Sequence, residues 1–341
     1  MNLQENIPLA SRTTFGIGGP ARWFAEASSE AEVAEACAWA RARDLPLFVL
    51  GGGSNLLVAD AGFHGLVLCI ALAGIALDGD RLQAAAGEPW ERCVEQATEA
   101  GLAGIECLAG IPGSVGGTPV QNVGAYGQEV GAVIERVRTF DRAAQKFVEF
   151  PNVACGFAYR RSRFNSADRG RFVVTRVDYR LRPGGAPALG YADLERHFAH
   201  HSGAPTLVEV AEAVRAIRRA KGMFMIEGDP DCRSAGSFFK NPAVAPEAAE
   251  RIRAIAGAVR AYPASDGLVK ISAAWLIEQA GFAPGFALGA AGISSRHTLA
   301  LVNRGGATAA EILALAETIR STVEQRFGIR LEMEPDRVGF D

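Results

Sequence analysis

Residues 110–127 read Gly110-Ile111-Pro112-Gly113-Ser114-Val115-Gly116-Gly117-Thr118-Pro119-Val120-Gln121-Asn122-Val123-Gly124-Ala125-Tyr126-Gly127. Six of these eighteen residues are glycine and two are proline. Glycine raises the entropy cost of regular structure and proline removes a backbone donor, so the segment predicts neither a helix nor a central strand. Long glycine-rich connections are usually functional, because a flat or charged ligand can approach bare backbone closely. We therefore interpret residues 110–127, called the cradle below, as a ligand-binding loop rather than a plain connection.

A second glycine segment, Gly51-Gly52-Gly53-Ser54-Asn55, follows a buried strand predicted at residues 47–50. In a dinucleotide fingerprint, the glycines stand between a strand and a long helix whose N-terminus faces the phosphates. Here the next run, Leu56-Leu57-Val58, predicts another strand. The segment therefore argues against a Rossmann unit. It can still bind an anion through its backbone and the side chains of Ser54 and Asn55, although a glycine-rich turn explains it nearly as well.

Composition narrows the class of protein. The chain has 341 residues, 49% of them hydrophobic, a formal charge of −3 and a pI near 6.0. This length allows two or three domains, and the absence of a basic field argues against nucleic acid or an anionic membrane as partner. The six cysteines form no Cys-x-x-Cys pair, the five histidines lack metal-ligand spacing, and no apolar signal segment follows Met1. We expect a reduced cytoplasmic protein with no disulfide framework and no metal site.

Helical and strand patterns are mixed along the chain, which predicts an α+β fold. Helices are predicted from a cap at Ser28 or Ser29 to Asp44, from Pro89 to Gly101, over 207–220, after Ser272, and from the Thr308–Glu311 capping box to Gly328. Strands are predicted over 56–58, 65–70, 133–140, 146–150, 171–181 and 329–334. The basic residues near the end of the 207–220 helix are attributed to the helix dipole, whose negative end favours cations; they are Arg215, Arg218, Arg219 and Lys221. Alternation in 329–334 puts Glu332 and Glu334 on one face.

Six stretches of the chain form an ordered set of motifs. They are Thr14-Phe15-Gly16-Ile17-Gly18-Gly19-Pro20-Ala21, Leu50-Gly51-Gly52-Gly53-Ser54-Asn55-Leu56-Leu57-Val58, the cradle, Tyr159-Arg160, Gly236-Ser237-Phe238-Phe239-Lys240-Asn241-Pro242 and Leu331-Glu332-Met333-Glu334. Together they resemble the UDP-N-acetylenolpyruvoylglucosamine reductase family. The resemblance extends over nearly the whole chain in the right order. It implies a two-part FAD-binding domain of the vanillyl-alcohol-oxidase type, over residues 1–66 and 67–205. A C-terminal α+β substrate-binding domain would occupy residues 206–341.

The resemblance also implies a function. The protein would carry non-covalent FAD, take a hydride from NADPH, and reduce UDP-N-acetylenolpyruvoylglucosamine to UDP-N-acetylmuramate for peptidoglycan synthesis. Its partner would be this small UDP-sugar, with no nucleic acid or membrane partner, and we expect a cytoplasmic monomer. Two alternatives are an FAD-dependent oxidase or dehydrogenase of another small substrate and a nucleotide-sugar binding module that has lost the flavin. A bound, releasable flavin would eliminate the module.

The site residues are carried over by motif. The implied catalytic residues are Arg160 and Glu334, acting on the enolate, and Ser237, donating a proton with help from Lys240 or ordered water. The match through Val338-Gly339 selects Glu334 over Glu332. The implied FAD-binding residues are Gly51, Gly52, Gly53, Ser54, Asn55, Gly113, Ser114, Gly116, Gly117, Asn122 and Gly124. The implied substrate-binding residues are Tyr159, Tyr191, Lys221 and Asn241.

Overall fold

The chain, described by a computed structural model over residues 1–264 and 267–340, divides into two compact units. Unit 1 comprises Met1–Ile7, Ala21–Gly53 and Phe63–Arg219. Unit 2 comprises Pro8–Pro20, Ser54–Gly62 and the chain from Ala220. Each unit is assembled from separate stretches of sequence, and the three-part division at residues 66 and 205 stays a prediction.

Helices and strands are interleaved, which confirms the α+β prediction. The helices are α1 (Glu30–Arg41), α2 (Trp90–Glu99), α3 (Asn152–Cys155), α4 (Ala192–His197), α5 (Leu207–Ala220), α6 (Pro246–Ala256), α7 (Ala273–Gln279) and α8 (Ala309–Phe327). The strands are β1 (Leu3–Pro8), β2 (Pro20–Ala27), β3 (Leu47–Leu50), β4 (Leu56–Val58), β5 (Phe63–Ile70), β6 (Ile75–Asp78), β7 (Arg81–Ala85), β8 (Leu102–Ala103), β9 (Gly124–Ala125), β10 (Gln128–Glu129), β11 (Ile134–Asp141), β12 (Lys146–Pro151), β13 (Phe172–Arg180), β14 (Arg182–Pro183), β15 (Ala243–Val244), β16 (Ala261–Pro263), β17 (Val269–Ile271), β18 (Ala287–Leu288), β19 (Ala291–Ile293), β20 (Leu301–Asn303) and β21 (Asp336–Val338).

Unit 1 is built on two sheets that share one apolar core. The first has the strand order β1-β2-β5-β3, with β5 parallel to both β2 and β3. The second is antiparallel, with the order β12-β11-β13-β7-β6. Helix α1 begins where expected, because the Ser29 hydroxyl accepts a hydrogen bond from the Glu32 N–H group at 3.3 Å. In sequence, the cradle lies between α2 and the hairpin β11–β12.

Unit 2 combines small sheets with the longest helix. Its sheets are β15-β17-β16, β18-β19-β20 and the parallel pair β4–β21. Helix α8 has both halves of the predicted capping box, Thr308 and Glu311, and ends at Gly328 with φ of +69°. Phe238 and Phe239 are each 1% exposed and anchor the core of this unit beside Leu331. The phenylalanines that follow Ser237 therefore fix that segment by burial.

Two boundary predictions differ from the structure. Pro89 is the residue before α2, not its first helical residue. Residues 329–334 form no regular strand, and the terminal strand is Asp336–Val338 instead. Among the described helices, none combines the length and apolar character needed to cross a membrane.

Candidate active site

The first part of the candidate site is a meeting of two glycine loops in unit 1. A Cβ atom built on Gly52 would lie 2.5 Å from the Gly113 Cα atom, and one built on Gly51 would lie 2.6 Å from Ser114 Oγ. Side chains do not fit at such distances, so the loops lie backbone against backbone. The Gly113 carbonyl also accepts a hydrogen bond from the Trp90 N–H group at 3.0 Å. The structure thus brings together four residues that the sequence predicted as FAD ligands.

Gly116 and Gly117 differ in what surrounds the place where a side chain would stand. A Cβ atom on Gly116 would lie 2.8 Å from the Ala86 Cβ atom, and its N–H group donates to the Ala86 carbonyl at 2.8 Å. Packing within the protein therefore requires glycine at this position, and the role of Gly116 in FAD binding stays a prediction. Gly117 is exposed, and no atom of the described chain lies within 4 Å of a Cβ atom built there. Gly51 and Gly52 are also exposed, although their Cβ positions are filled by the second loop. Exposed glycine backbone of this kind fits a group that must approach closely, as the diphosphate of FAD does.

Asn122 is 2% exposed and holds the shape of the cradle through its side chain. Its Nδ2 atom donates to Glu129 Oε2 at 2.8 Å and to the Ala158 carbonyl at 3.0 Å, while Oδ1 accepts from the Gly131 N–H group at 2.8 Å. Its φ of +46° lies in the left-handed region, where asparagine is enriched. All three contacts are within the protein, so this side chain supports the loop.

Arg160 stands at the corner of a tight turn beside the cradle. Ala158 and Arg161 exchange two backbone hydrogen bonds, of 2.9 and 3.0 Å, and leave Tyr159 and Arg160 at the tip. The φ of Arg160 is +53°, a conformation that costs a non-glycine residue about 1–3 kcal/mol. Its Nη1 atom lies 3.3 Å from the place where a Cβ atom on Gly124 would stand. A predicted catalytic cation and a predicted FAD-binding glycine are therefore direct neighbours.

Ser162 ties this turn to the cradle. Its hydroxyl donates to the Val120 carbonyl at 2.6 Å and accepts from the Phe164 N–H group at 3.1 Å. The Asn165 side chain accepts from the Ser162 N–H group at 2.9 Å and donates to the Arg160 carbonyl at 3.1 Å. These bonds hold the strained backbone of Arg160, as expected where a functional side chain must be aimed.

Tyr191 is 41% exposed and packs edge to face on Tyr126, with ring centroids 5.2 Å apart. Tyr126 is buried, has a φ of +47° and hydrogen-bonds to Arg218. Burial raises the pKa of Tyr126 to about 12, so its hydroxyl stays protonated at neutral pH. The predicted substrate tyrosine thus rests on a second tyrosine that is fixed in the cradle.

Arg215 and Arg218 correct the helix-dipole interpretation, because both are buried and bind at the cradle. Arg218 Nε donates to the Gly110 carbonyl at 2.9 Å. Arg215 Nε donates to Glu91 Oε1 at 2.5 Å, and Glu91 Oε2 accepts from the Gly110 N–H group at 2.5 Å. Sequence reasoning missed these clamping residues and Tyr126. The available signal was the three-residue spacing of the arginines, which puts them on one helix face.

In unit 2, Ser237 lies in an extended segment between two others. It forms a β-bridge with Ala300, and the Phe238 N–H group donates to the Leu299 carbonyl at 2.8 Å. On the other side, the Phe238 carbonyl accepts from the Glu334 N–H group at 2.9 Å. The structure therefore places the backbones of two predicted catalytic residues, Ser237 and Glu334, at adjoining positions.

Glu332 and Glu334, which the alternation left equivalent, have different surroundings. Glu332 has a side chain that is 72% exposed, and its Oε1 atom lies 2.5 Å from Lys240 Nζ. Glu334 is half-buried. Because Glu332 engages the Lys240 ammonium, the expectation that Lys240 assists Ser237 is left without support.

The chain after residue 329 returns to the second glycine segment. Met333 forms an isolated bridge with Phe239, and β21 pairs in parallel with β4. The Asp336 N–H group donates to the Asn55 carbonyl at 2.9 Å, and Asn55 Nδ2 donates to the Glu334 carbonyl at 3.4 Å. A predicted FAD ligand and a predicted catalytic residue thus meet in unit 2.

An open groove of about 450 Å³ lies in unit 2, between residues 10–16 and the side chains of Met225 and Arg233. At this groove the Thr14 hydroxyl lies 2.5 Å from the Ser234 carbonyl and 3.5 Å from the Ser54 carbonyl. Thr14, in the first of the six stretches, therefore contacts both Ser54 and the segment that precedes Ser237.

The remaining predicted residues are placed as follows. Lys221 is half-buried directly after α5. Asn241 Oδ1 accepts a hydrogen bond from the Ala273 N–H group at 2.9 Å, at the start of α7, so this side chain has a structural contact. Across the described residues, no group of three histidine, cysteine or acidic side chains is arranged to hold a metal ion.

Comparisons with known proteins agree with this arrangement. Residues 21–147 match the family described as FAD binding domain, and residues 229–338 match the family described as UDP-N-acetylenolpyruvoylglucosamine reductase, C-terminal domain. The UDP-N-acetylenolpyruvoylglucosamine reductase of Streptomyces avermitilis is 48% identical over 100% of this chain and 97% of its own length. That of Paraburkholderia xenovorans is 43% identical over 96% and 95%. The crystal structure of UDP-N-acetylenolpyruvylglucosamine reductase from Thermus caldophilus superposes with a TM-score of 0.70 at 28% identity, over 99% of both chains.

Proposed function

Because this chain belongs to the UDP-N-acetylenolpyruvoylglucosamine reductase family, we propose that it reduces UDP-N-acetylenolpyruvoylglucosamine to UDP-N-acetylmuramate for peptidoglycan synthesis. FAD, when bound, relays the hydride of NADPH to the enolpyruvyl group. The observation that supports roles for Ser237 and Glu334 is the adjoining placement of their backbones in unit 2, where two groups able to donate or accept a proton lie on neighbouring segments.

The residues that we propose to hold FAD provide mainly bare backbone. They are Gly51, Gly52, Gly53, Ser54, Asn55, Gly113, Ser114, Gly116, Gly117, Asn122 and Gly124. The packed loops at Gly52 and Gly113, together with the open space at Gly117, support this assignment. Gly116 and Asn122 act indirectly, since their contacts shape the loop.

Arg160 stabilises the negative charge that develops on the substrate. Reduction at the methylene carbon leaves an electron pair spread over the α-carbon and the carboxylate. A guanidinium that is already held in place stabilises such charge without reorganising during the reaction. The turn at residues 158–161 and the bonds from Asn165 supply this preorganisation.

Ser237 donates its hydroxyl proton to the α-carbon and recovers a proton from solvent. Positioned acids of this kind contribute about 10²–10⁴-fold to a rate. We assign Glu334 to the same enolate, beside Ser237, because it is half-buried while Glu332 is committed to a surface ion pair.

Four further residues are proposed to bind the substrate. Tyr191 is supported by its exposed ring on Tyr126, which can cover a bound sugar nucleotide. Lys221 is assigned to the nucleotide diphosphate, and Tyr159 and Asn241 complete the set by the family match. No nucleic acid or membrane partner is proposed.

We also propose a cytoplasmic monomer. The six cysteines are free and five of them are buried, which suits a reducing compartment. Light scattering of the purified protein during gel filtration would support the monomer at a mass near 36.0 kDa, while a mass near twice that value would refute it.

The function is tested by incubating the purified protein with NADPH and UDP-N-acetylenolpyruvoylglucosamine. We expect bound FAD that is released on denaturation, NADPH consumption that depends on the sugar nucleotide, and a product two hydrogens heavier by mass spectrometry. NADPH-independent oxygen consumption with another substrate, or protein without flavin, would contradict the proposal.

A further inference from the structure

The connection between Lys221 and Ser237 is hydrogen-bonded to a turn of unit 2 that contains Ser295 and Arg296. Asp231 is 7% exposed and uses both carboxylate oxygens on this turn. Its Oδ1 atom accepts from the Ser295 N–H group at 3.0 Å, and its Oδ2 atom accepts from Ser295 Oγ at 2.6 Å and from Arg296 Nε at 3.0 Å. A carboxylate with three donors is a firm attachment point for the connection.

Arg296 extends this attachment to a second acid. Its Nη2 atom lies 2.5 Å from Asp229 Oδ2, and Asp229 Oδ1 accepts from the Asp231 N–H group at 2.9 Å. One guanidinium therefore binds two carboxylates two residues apart. An arginine fork can span them in this way, whereas a lysine ammonium is a point charge.

The other side of the cluster touches the residue after Lys221. Gly222 is buried with a φ of +65°. A Cβ atom built there would lie 3.0 Å from Asp231 Cβ and 3.1 Å from Arg296 Nε. The backbone that carries Lys221 thus rests directly on the Asp231–Arg296 pair.

The same turn also contacts the segment that contains Ser237. The Ser294 N–H group donates to the Ala300 carbonyl at 2.9 Å, which closes residues 294–300 into a compact loop. Ala300 bridges to Ser237, and Leu299 accepts from the Phe238 N–H group at 2.8 Å. One end of the loop therefore holds the Lys221 side of the connection, and the other end holds Ser237.

We propose that Asp231 and Arg296 are positioning residues that fix Lys221, at the nucleotide diphosphate, and Ser237, at the reacting carbon, at a set separation matched to one substrate. The proposal rests on the proposed function, because Lys221 and Ser237 are the residues proposed to contact the two ends of its substrate. Neither residue is assigned a contact with the substrate. The pair acts through the backbones of the connection and of the 294–300 loop.

The test uses the FAD-loaded full chain and four variants, Arg296→Gln, Asp231→Asn, the double variant and Arg296→Lys. For the two single neutral variants we expect the Kd for UDP, measured by calorimetry, to rise about tenfold and the substrate half-reaction to slow about tenfold, because coupled neighbours contribute on this scale. The double variant should lose no more than either single variant. Arg296→Lys should recover part of the UDP affinity, and flavin reduction at saturating NADPH should stay within about twofold of the parent.

Arg330→Gln is the matched control, because Arg330 also pairs with two carboxylates, Glu324 at 2.6 Å and Glu317 at 2.8 Å, away from the 294–300 loop. If Asp231→Asn does not fold, Asp229→Asn replaces it, since that variant removes only one bond to Arg296. Unchanged UDP binding, additive losses, or equal slowing of both half-reactions would overturn the inference. A parent enzyme that binds UDP but does not turn over the sugar nucleotide would contradict the proposed function and not the positioning cluster.

Discussion

Gly117→Val should weaken FAD binding at least tenfold while leaving the protein folded. Apart from its chain neighbours, no atom of the described chain lies within 4 Å of a Cβ atom at Gly117, so the Cβ atom of the new residue enters open space. We expect the unfolding free energy of the apoprotein to change by no more than about 0.5 kcal/mol, as for other exposed sites. The branched side chain would fill the space that the cofactor needs, and a tenfold loss of affinity already corresponds to about 1.4 kcal/mol. We expect at least that loss.

Gly116→Ala is the contrasting change at the next position. Its Cβ atom would stand 2.8 Å from Ala86 Cβ, well inside the usual carbon–carbon contact of about 3.5–4.0 Å. Overpacking of this kind costs about 1–3 kcal/mol, so here stability should fall. The assay is thermal unfolding of each apoprotein followed by titration with FAD, monitored by flavin fluorescence. Parent-like FAD affinity in Gly117→Val, or an unstable apoprotein, would refute the assignment of this open space to the cofactor.

Two further predictions concern the carboxylates and the thiols. Glu334→Gln should slow the substrate half-reaction severely, by about 100-fold or more, while Glu332→Gln stays within a few-fold of the parent. Rapid-mixing kinetics measure both rates. The reverse ranking would show that Glu332, two residues earlier, is the catalytic glutamate. Burial raises the pKa of Cys93 and Cys107 to about 12, so both remain protonated thiols at pH 8 and should resist alkylation until the protein is unfolded. Peptide mass spectrometry after iodoacetamide treatment measures this, and rapid labelling of either cysteine in the native protein would contradict the described burial.

The sequence predicted the ends of those helices whose capping residues lie next to them in the chain. The Thr308–Glu311 capping box and Gly328 bound α8 in the structure as the sequence indicated. Ser29 caps α1 in the same way. Such boundaries can be read from sequence because the atoms that satisfy the helix ends lie within a few residues of them.

The terminal segment shows where local pattern is insufficient. The alternation of residues 329–334 predicted a strand, yet a strand also needs a partner, and only Met333 forms a bridge there. The partner β4 pairs with residues 336–338 instead. Alternation likewise could not separate Glu332 from Glu334, because the lysine that engages Glu332 lies 92 residues away in sequence.

The arginines of α5 illustrate tertiary contacts overriding a local explanation. A helix C-terminus favours cations by a few tenths of a kcal/mol to about 1 kcal/mol, which made the dipole a reasonable interpretation. In the structure, Arg215 and Arg218 are buried and bound to Glu91 and Gly110, respectively. The motif resemblance identified the cradle, but these clamps depend on contacts more than 100 residues apart in sequence.

The role of Ser237 as the acid that protonates the α-carbon is tested most directly by measuring the two half-reactions in Ser237→Ala. The variant removes one hydroxyl from a half-buried position whose backbone is fixed on both sides, so the fold should persist. Stopped-flow absorbance follows the reduction of bound FAD by NADPH and its reoxidation by UDP-N-acetylenolpyruvoylglucosamine in separate mixing experiments. We expect nearly unchanged reduction of FAD by NADPH, and reoxidation slowed by a factor on the order of 1,000, within the range expected for a lost acid. Equal slowing of the two steps, or parent-like reoxidation, would contradict it.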